Sequence, residues 1–428
     1  MNKSGNFNKF LVIWVGEMIA SIGSGMSAFG LGVYVFEMTR SAADVSMVTL
    51  CAFLPAVLLN PVAGVLADRF DRRLLMILGD SLSAVGLVIM LVLMNMGPVE
   101  VWQICACVAF SSIFVALLEP SYRASITDLL SADEYGKASG LVQLASSTKY
   151  LISPVIAGFL LIAADVRLLI LIDIATLLIT VTTILLVRKT LERTEKKSKS
   201  SSFAHEFLEG CKYLLSNRSV MVLMLLISAI TYYMGALQTL FTPMILSFSD
   251  AKTLGIIESV GATGMLVSSL LIGIFSLNRK YVKTMVAGLA LAGLLIALIG
   301  TTTNLIVIPI IAFLFFATLP PVNSSIEVLM RKSIPNETQG RIWGLVSFIS
   351  QIGYIVAYAS TGILADKVFI PLLSEGGALA GSLGALVGVG PARGIGLQLL
   401  ISGITVIVLA VVISRVKSIR RMEALVQQ

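Results

Sequence analysis

Charge is what this sequence has least of. Asp, Glu, Lys and Arg make up 13% of its 428 residues, about half the ~25% of an ordinary soluble domain. Hydrophobic residues reach 57% and mean hydropathy is +0.95. No soluble fold of this length hides so much apolar surface, so lipid must be the solvent for most of it. Histidine is limited to His205, which leaves a histidine-built metal site or a Ser-His-Asp triad almost no raw material. Of four cysteines, Cys51, Cys105 and Cys107 fall in apolar segments and Cys211 in a basic stretch. None is placed for an extracellular disulfide. The Cys105-x-Cys107 pair points to two faces of a helix without partner ligands, which reads as packing rather than a metal site. The GxxxxGK[ST] loop is missing, which excludes nucleotide hydrolysis as an energy source, and no catalytic constellation appears. No enzyme, cofactor or metal is expected. No cleavable signal is expected either, because the first apolar run, from Phe10, is too long and has no small-residue cleavage site.

What is there is a series of apolar runs, each near the ~20 residues that cross a bilayer as a helix. They lie near 10–37, 45–66, 74–95, 101–121, 137–163 and 166–187, then near 219–246, 253–276, 283–301, 304–327, 342–365 and 395–414. The pattern is an all-α polytopic membrane protein of 12 transmembrane helices. It comprises an N-terminal six-helix bundle over 1–187, a linker over 188–218 and a C-terminal six-helix bundle over 219–428. The linker begins basic and Ser-rich. Phe203, Phe207, Leu208, Cys211 and Leu215 then recur at helical spacing, predicting an amphipathic surface helix.

Net charge is +7, and its placement says more than its size. With the N-terminus on the cytoplasmic side, 25 of the 31 Lys and Arg fall in cytoplasmic loops and ends, and five in the opposite loops. That bias predicts both termini in the cytoplasm of a cell membrane. It also assigns the basic loops to anionic lipid rather than nucleic acid. The halves resemble each other. Glu119-x-x-x-Arg123 is matched by Glu327-x-x-x-Arg331, EYGKASGL (134–141) by TQGRIWGL (338–345), and Gly158 by Gly362. A parallel repeat of two six-helix halves is a known transporter plan.

The loop after the second segment reads Gly64-Val-Leu-Ala-Asp68-Arg69-Phe-Asp71-Arg72-Arg73. It resembles the signature loop of the major facilitator superfamily, Gly-x-Leu-Ala-Asp-Arg-x-Gly-Arg-Lys, with Asp71 in place of the second Gly. The resemblance implies two pseudo-symmetric bundles and a conformational latch built from Gly64, Asp68, Arg69, Arg72 and Arg73. Glu119, Arg123, Glu327 and Arg331 are expected to join it as i,i+4 pairs. Gly64 is read as a close-approach position, and Asp68 as a carboxylate favoured beside a helix N-terminus. The fifth segment carries Gly140, Lys149, Ser153, Pro154, Ala157 and Gly158. This is similar to the superfamily's exporter motif Gly-x8-Gly-x3-Gly-Pro-x2-Gly-Gly, with Lys149 the sharpest departure. FLVIWVGEMIASIGS, FLPAVLLNPVAGVLADRFDRR and YLISPVIAG resemble the bacterial drug:proton antiporter-3 and macrolide efflux group.

Charge inside the bilayer costs roughly 2.5–3.5 kcal/mol on insertion scales, so each instance needs a reason. Glu17, in the first segment, is the leading candidate for proton coupling or for binding a cationic substrate. A carboxylate in a dry cavity can exchange a proton near neutral pH. Lys149 and Glu258 sit at similar depth, and an ion pair between the halves is expected, with Glu17 and Asp173 as alternative partners for Lys149. Asp80 and Asp173 lie on segments peripheral in this family and read as structural. Cavity candidates are Phe29, Tyr34, Phe110, Phe114, Tyr232, Tyr233, Gln238, Phe313, Phe316 and Asn323, with Gln143, Gln351 and Tyr354 adding polar contacts. Helix–helix packing explains any single one of them as well. Pro320 and Pro321 are expected to bend the tenth segment. The Gly-rich stretch 368–394 is longer than a simple turn and is left open between the outer interface and a cap on the exit.

The expected function is secondary active efflux of lipophilic drug-like compounds by alternating access, as a monomer, with protons as coupling ion and membrane lipids as partners. Export of an endogenous amphiphile such as a lipid or siderophore, uptake, or a transport-inactive sensor or scaffold are the alternatives.

Overall fold

The computed structural model describes residues 4–188, 218–275, 280–333 and 339–416. The linker, with its expected surface helix, lies outside them. Among the described residues twelve helical stretches are long and apolar enough to cross a membrane. Spans 1 to 6 are Phe7–Thr39, Ala42–Ala67, Arg72–Met96, Val101–Ile126, Tyr135–Ala163 and Val166–Arg188. Spans 7 to 12 are Met224–Leu246, Ala251–Phe275, Tyr281–Thr301, Val307–Met330, Phe348–Leu372 and Pro391–Arg415. A helix is the natural form for such segments, because it satisfies its backbone polar groups within itself where lipid offers none.

Local chemistry sets several of the ends and breaks. Asp71 caps span 3, its carboxylate accepting from the Arg73 backbone N–H at 3.1 Å. Glu100 and Gln103 form a reciprocal capping box at the start of span 4. Span 5 is jointed at Ile152, just before Pro154, where Tyr135–Leu151 gives way to Ser153–Ala163. The helix of span 10 runs unbroken through Pro320 and Pro321. Span 11 widens into a π-helical turn over Ala365–Phe369, and this carries it to Leu372, beyond the end expected near 365. The Gly-rich stretch then folds back on itself. Leu379 N–H donates to Leu372 O at 3.0 Å and Gly390 N–H to Leu373 O at 2.9 Å. Gly376, Gly388 and Gly390 have φ of 85°, 95° and 122°, backbone that other residues rarely adopt. Its glycines therefore serve a compact turn structure.

The chain divides into two compact units. The first holds 1–40, 47–199 and 251–259; the second holds 41–46, 200–250 and 260–428. Each unit thus takes in the first turns of a span from the other half of the sequence. In the first unit, span 1 packs on spans 5 and 6, and span 3 on spans 4 and 6. In the second, span 7 packs on spans 11 and 12, and span 9 on spans 10 and 12. The pairings repeat with an offset of six spans, the topology of a duplication. An apolar cluster that includes Phe10, Ile13, Met76 and Ile184 closes the basic end of the first unit. The second unit has its counterpart in Met285, Leu289, Val322, Leu329 and Met330.

Candidate functional site

Three acidic side chains project into the interior of the first unit: Glu17 from span 1, Asp80 from span 3 and Asp173 from span 6. Asp80 and Asp173 are 1% and 3% exposed. Asp173 is provided for, since Ser24 Oγ donates to its Oδ1 at 3.1 Å and Lys149 stands within electrostatic reach. Span 1 makes room for that lysine with a glycine: a Cβ on Gly25 would lie 3.0 Å from Lys149 Cγ and 2.5 Å from Ser153 Oγ. Ser153 Oγ also donates to Ile22 O at 3.0 Å, tying span 5 to span 1. Glu17 and Asp80 are not provided for. Glu17 Oε1 and Asp80 Oδ2 are buried without a hydrogen-bond partner among the described residues, and each carboxylate is within electrostatic reach of the other. Tyr122, whose hydroxyl is also unpartnered, stands within reach of Glu17.

Of the alternatives open for Lys149, Asp173 lies within its electrostatic reach, without an ion pair between them among the described residues. No ion pair joins it to Glu258 among the described residues. Glu258 itself lies in the stretch of span 8 that belongs to the first unit, half-buried. The exporter-like motif of span 5 divides in two. Pro154 O presses on Gly255, and a Cβ on Gly158 would stand 2.7 Å from Ala251 O, so the Pro154–Gly158 half of the motif grips the start of span 8. Gly140 has no atom within 4 Å of where a Cβ would stand, so it makes no close approach here.

In the second unit the counterpart contact gains a charge. Gly362 packs on Ala42 and Ala43, and one turn later Asp366 caps the start of span 2. Its carboxylate accepts from Ser41 Oγ at 2.7 Å, Ala43 N–H at 2.9 Å and Ala42 N–H at 3.1 Å. A carboxylate on free helix N–H groups is a favoured arrangement. Nothing in the sequence marks Asp366, because its partners lie more than 320 residues away.

The signature loop is organised by two acids, Asp128, which sequence reading passed over, and Asp71, whose partner it did not find. Arg72 pairs with Asp128 at 2.8 Å and donates to Ala124 O at 2.8 Å and Ala67 O at 3.1 Å. Asp71, the departure from the family pattern, pairs with Arg188 at 3.0 Å. Arg69 is exposed and Arg73 Nε is buried without a partner among the described residues. Gly64, expected to allow a close helix approach, faces open space: no atom lies within 4 Å of a Cβ there. Glu119 and Arg123 form the expected i,i+4 pair at 2.9 Å, well exposed on both sides. The side chains of Asp68 and Arg331, and with the latter the second such pair, lie outside the described residues.

The aromatic candidates are mostly occupied by packing. Phe29 sits against the Met26, Ala157 and Leu169 cluster, and Phe114 stacks edge-on against Phe110 beside span 3. Tyr232 and Tyr233 stack edge-on at 5.1 Å. Phe316 lies over Gly261. Gln238 accepts from Tyr358 OH at 2.6 Å. Tyr34 is half-buried and Asn323 exposed. A groove of the second unit between spans 9 and 10 is lined by Lys283, Ala287, Gly288, Ala317, Thr318 and Pro321 among others.

Comparison with known proteins agrees with this architecture. The chain is 26% identical over 374 residues to macrolide efflux protein A of Streptococcus pyogenes, covering 86% of this chain and 92% of that one. It is 23% identical over 395 residues to multidrug resistance protein 2 of Bacillus subtilis, covering 90% and 96%. The solved structure of the nucleoside transporter NupG superposes with a TM-score of 0.72 over 96% of this chain and all of that one, at 13% identity, a likeness of fold. The sequence pattern of the Major Facilitator Superfamily matches residues 13–358. With two six-span halves, the family's signature loop and that match, the chain belongs to the major facilitator superfamily: it is a multi-pass secondary transporter and not an enzyme.

Proposed function

We propose that this protein exports lipophilic drug-like compounds, macrolides among them, by proton-coupled alternating access, with both termini in the cytoplasm. The observation that carries the reading is Glu17, a carboxylate inside the first unit with a buried oxygen that nothing donates to among the described residues. A group in that state has a use for a proton, and a transporter whose carboxylate alternately gains a proton outside and releases it inside can drive a second solute outward. Relatives named for macrolide efflux and multidrug resistance support the direction and the substrate class. The grip of Pro154 and Gly158 on span 8 supports export through the family's motif in span 5. Lysine and arginine are concentrated at the ends shared by the N-terminus and the linker, which supports the orientation.

Purified protein in proteoliposomes, given a pH gradient and a panel of lipophilic drugs that includes macrolides, tests the reading beside a Glu17→Gln variant. Gradient-driven drug movement that fails in the variant is the expected outcome. Movement that survives the substitution removes Glu17 from the coupling site. No movement of any drug under any gradient removes the drug reading and turns attention to an endogenous amphiphile.

A further inference from the structure

We propose that Asp80 is the second half of the proton site, one proton being held between Asp80 and Glu17. The inference rests on the proton-coupled reading above and adds a residue from a span that the family resemblance marks as peripheral.

The two carboxylates share a layer. Ile13, Met76 and Ile184 belong to one apolar cluster at the basic end of the first unit. One helical turn further from that end on the same faces, about 6 Å along each axis, stand Glu17, Asp80 and Thr180. The apolar cluster forms the floor of this layer and seals it on the basic side.

Nothing in the layer satisfies the two acids. Thr180 directs its hydroxyl to Gly16 O at 3.0 Å and Thr176 O at 3.1 Å. Thr183 Oγ1 donates to Thr180 O at 2.8 Å, and Ser83 Oγ to the backbone oxygen of Asp80 at 2.9 Å. From the remaining neighbours, Tyr122 faces Glu17, and Asp173 is within reach of Asp80 but is itself an acid. Most of the described cations near this interior are engaged elsewhere. Arg188 pairs with Asp71, Arg72 with Asp128, Arg123 with Glu119 and Arg167 with Asp165, and Lys149 is within electrostatic reach of Asp173. Arg73 stands two turns below Asp80, among Asp71, Asp128 and Arg188.

Two carboxylates with buried, unpartnered oxygens, no paired cation among the described residues and only the Tyr122 hydroxyl as a spare donor cannot both stay charged at a tolerable cost. A single proton resolves this, because a carboxyl O–H on one acid donating to the other turns two orphan oxygens into one short, charge-assisted hydrogen bond. The pair then titrates as a unit, and neither residue has a proton affinity of its own. Asp173 differs because Ser24 already donates to it and Lys149 stands within electrostatic reach.

Infrared titration of the purified protein in bilayers reads the carboxylic-acid C=O band directly and needs no drug. The expected result is a band that moves in Glu17→Gln and in Asp80→Asn. In each single variant the surviving acid should change its midpoint by tenfold or more in proton concentration, and the double variant should lose the signal. Drug efflux should show the same linkage, with the double variant no worse than either single. A Glu17 band with its wild-type midpoint in Asp80→Asn overturns the proposal. Should Asp80→Asn fail to fold, Glu17→Gln carries the test, and an Asp80 band with an unmoved midpoint there overturns it equally. If no drug moves but the two acids titrate as a linked pair, the efflux reading falls and the proton pair stands.

Discussion

The two units repeat the same span pairings but hide different chemistry. In the first, span 6 carries Asp173 seven residues after its first residue; in the second, span 12 carries Gln398 at the same distance into the span. Both side chains are buried. Asp173 belongs to a set of three acids, whereas Gln398 Nε2 donates to Thr361 O at 3.0 Å, and Thr361 in turn meets Thr239 at 2.9 Å. Among the described residues of the second unit no charged side chain is buried. There, cohesion comes from uncharged hydrogen bonds and from backbone contact. Gly293 faces Gly403 and Gly300 faces Gly396 across spans 9 and 12, each glycine occupying the space a Cβ on its partner would need. A duplicated fold has kept its packing plan in both copies and placed its titratable interior in one.

The largest effect should come from removing charge in the first unit. Glu17→Gln is expected to lower gradient-driven efflux by roughly 10²-fold or more, the usual weight of a positioned proton carrier, while leaving the thermal unfolding midpoint near that of the parent. Equal loss of folding and transport would make Glu17 a structural acid and dissolve the contrast between the units. Next comes the backbone contact of the second. Gly403→Leu forces a side chain against Gly293 O and Ala297 and should cost about 1–3 kcal/mol or more by overpacking, read as a lowered unfolding midpoint in detergent. Gly140→Leu, at a glycine with open space around it, is the control and should be near neutral.

Asp366→Ala should cost about 0.5–2 kcal/mol, the range for losing a helix cap, with Asp366→Asn recovering part of it. A full-sized loss in both variants would show that the charge matters as well as the hydrogen bonds. The smallest effect belongs to Gln398→Leu. It gives up one hydrogen bond but also removes Oε1, which is buried without a partner, so stability should change by less than about 1 kcal/mol. A severe loss there would mean that the second unit depends on its polar interior as heavily as the first.

The signature loop shows where sequence reading ran short. Arg72 was legible as a member of the signature loop from its place in the pattern, but its partner Asp128 was not, nor was the pairing of Asp71 with Arg188 across 117 residues of chain. The same holds for Asp80. On its own span it looks like one acid on a peripheral helix, and only the packing of spans 1, 3 and 6 brings it within electrostatic reach of Glu17.

What the sequence alone determined was the solvent, the number of spans, the duplication and the family. Those follow from hydropathy over twenty-residue lengths and from short motifs, which are local properties of the chain. Tertiary structure decided which charges are compensated. Lys149 comes within electrostatic reach of Asp173, Asp366 caps a helix from the other half of the sequence, and Glu17 and Asp80 come within electrostatic reach of each other with buried, unpartnered oxygens among the described residues. Compensation depends on distances of a few ångströms between side chains on different helices, and a sequence carries no record of those until the helices are packed.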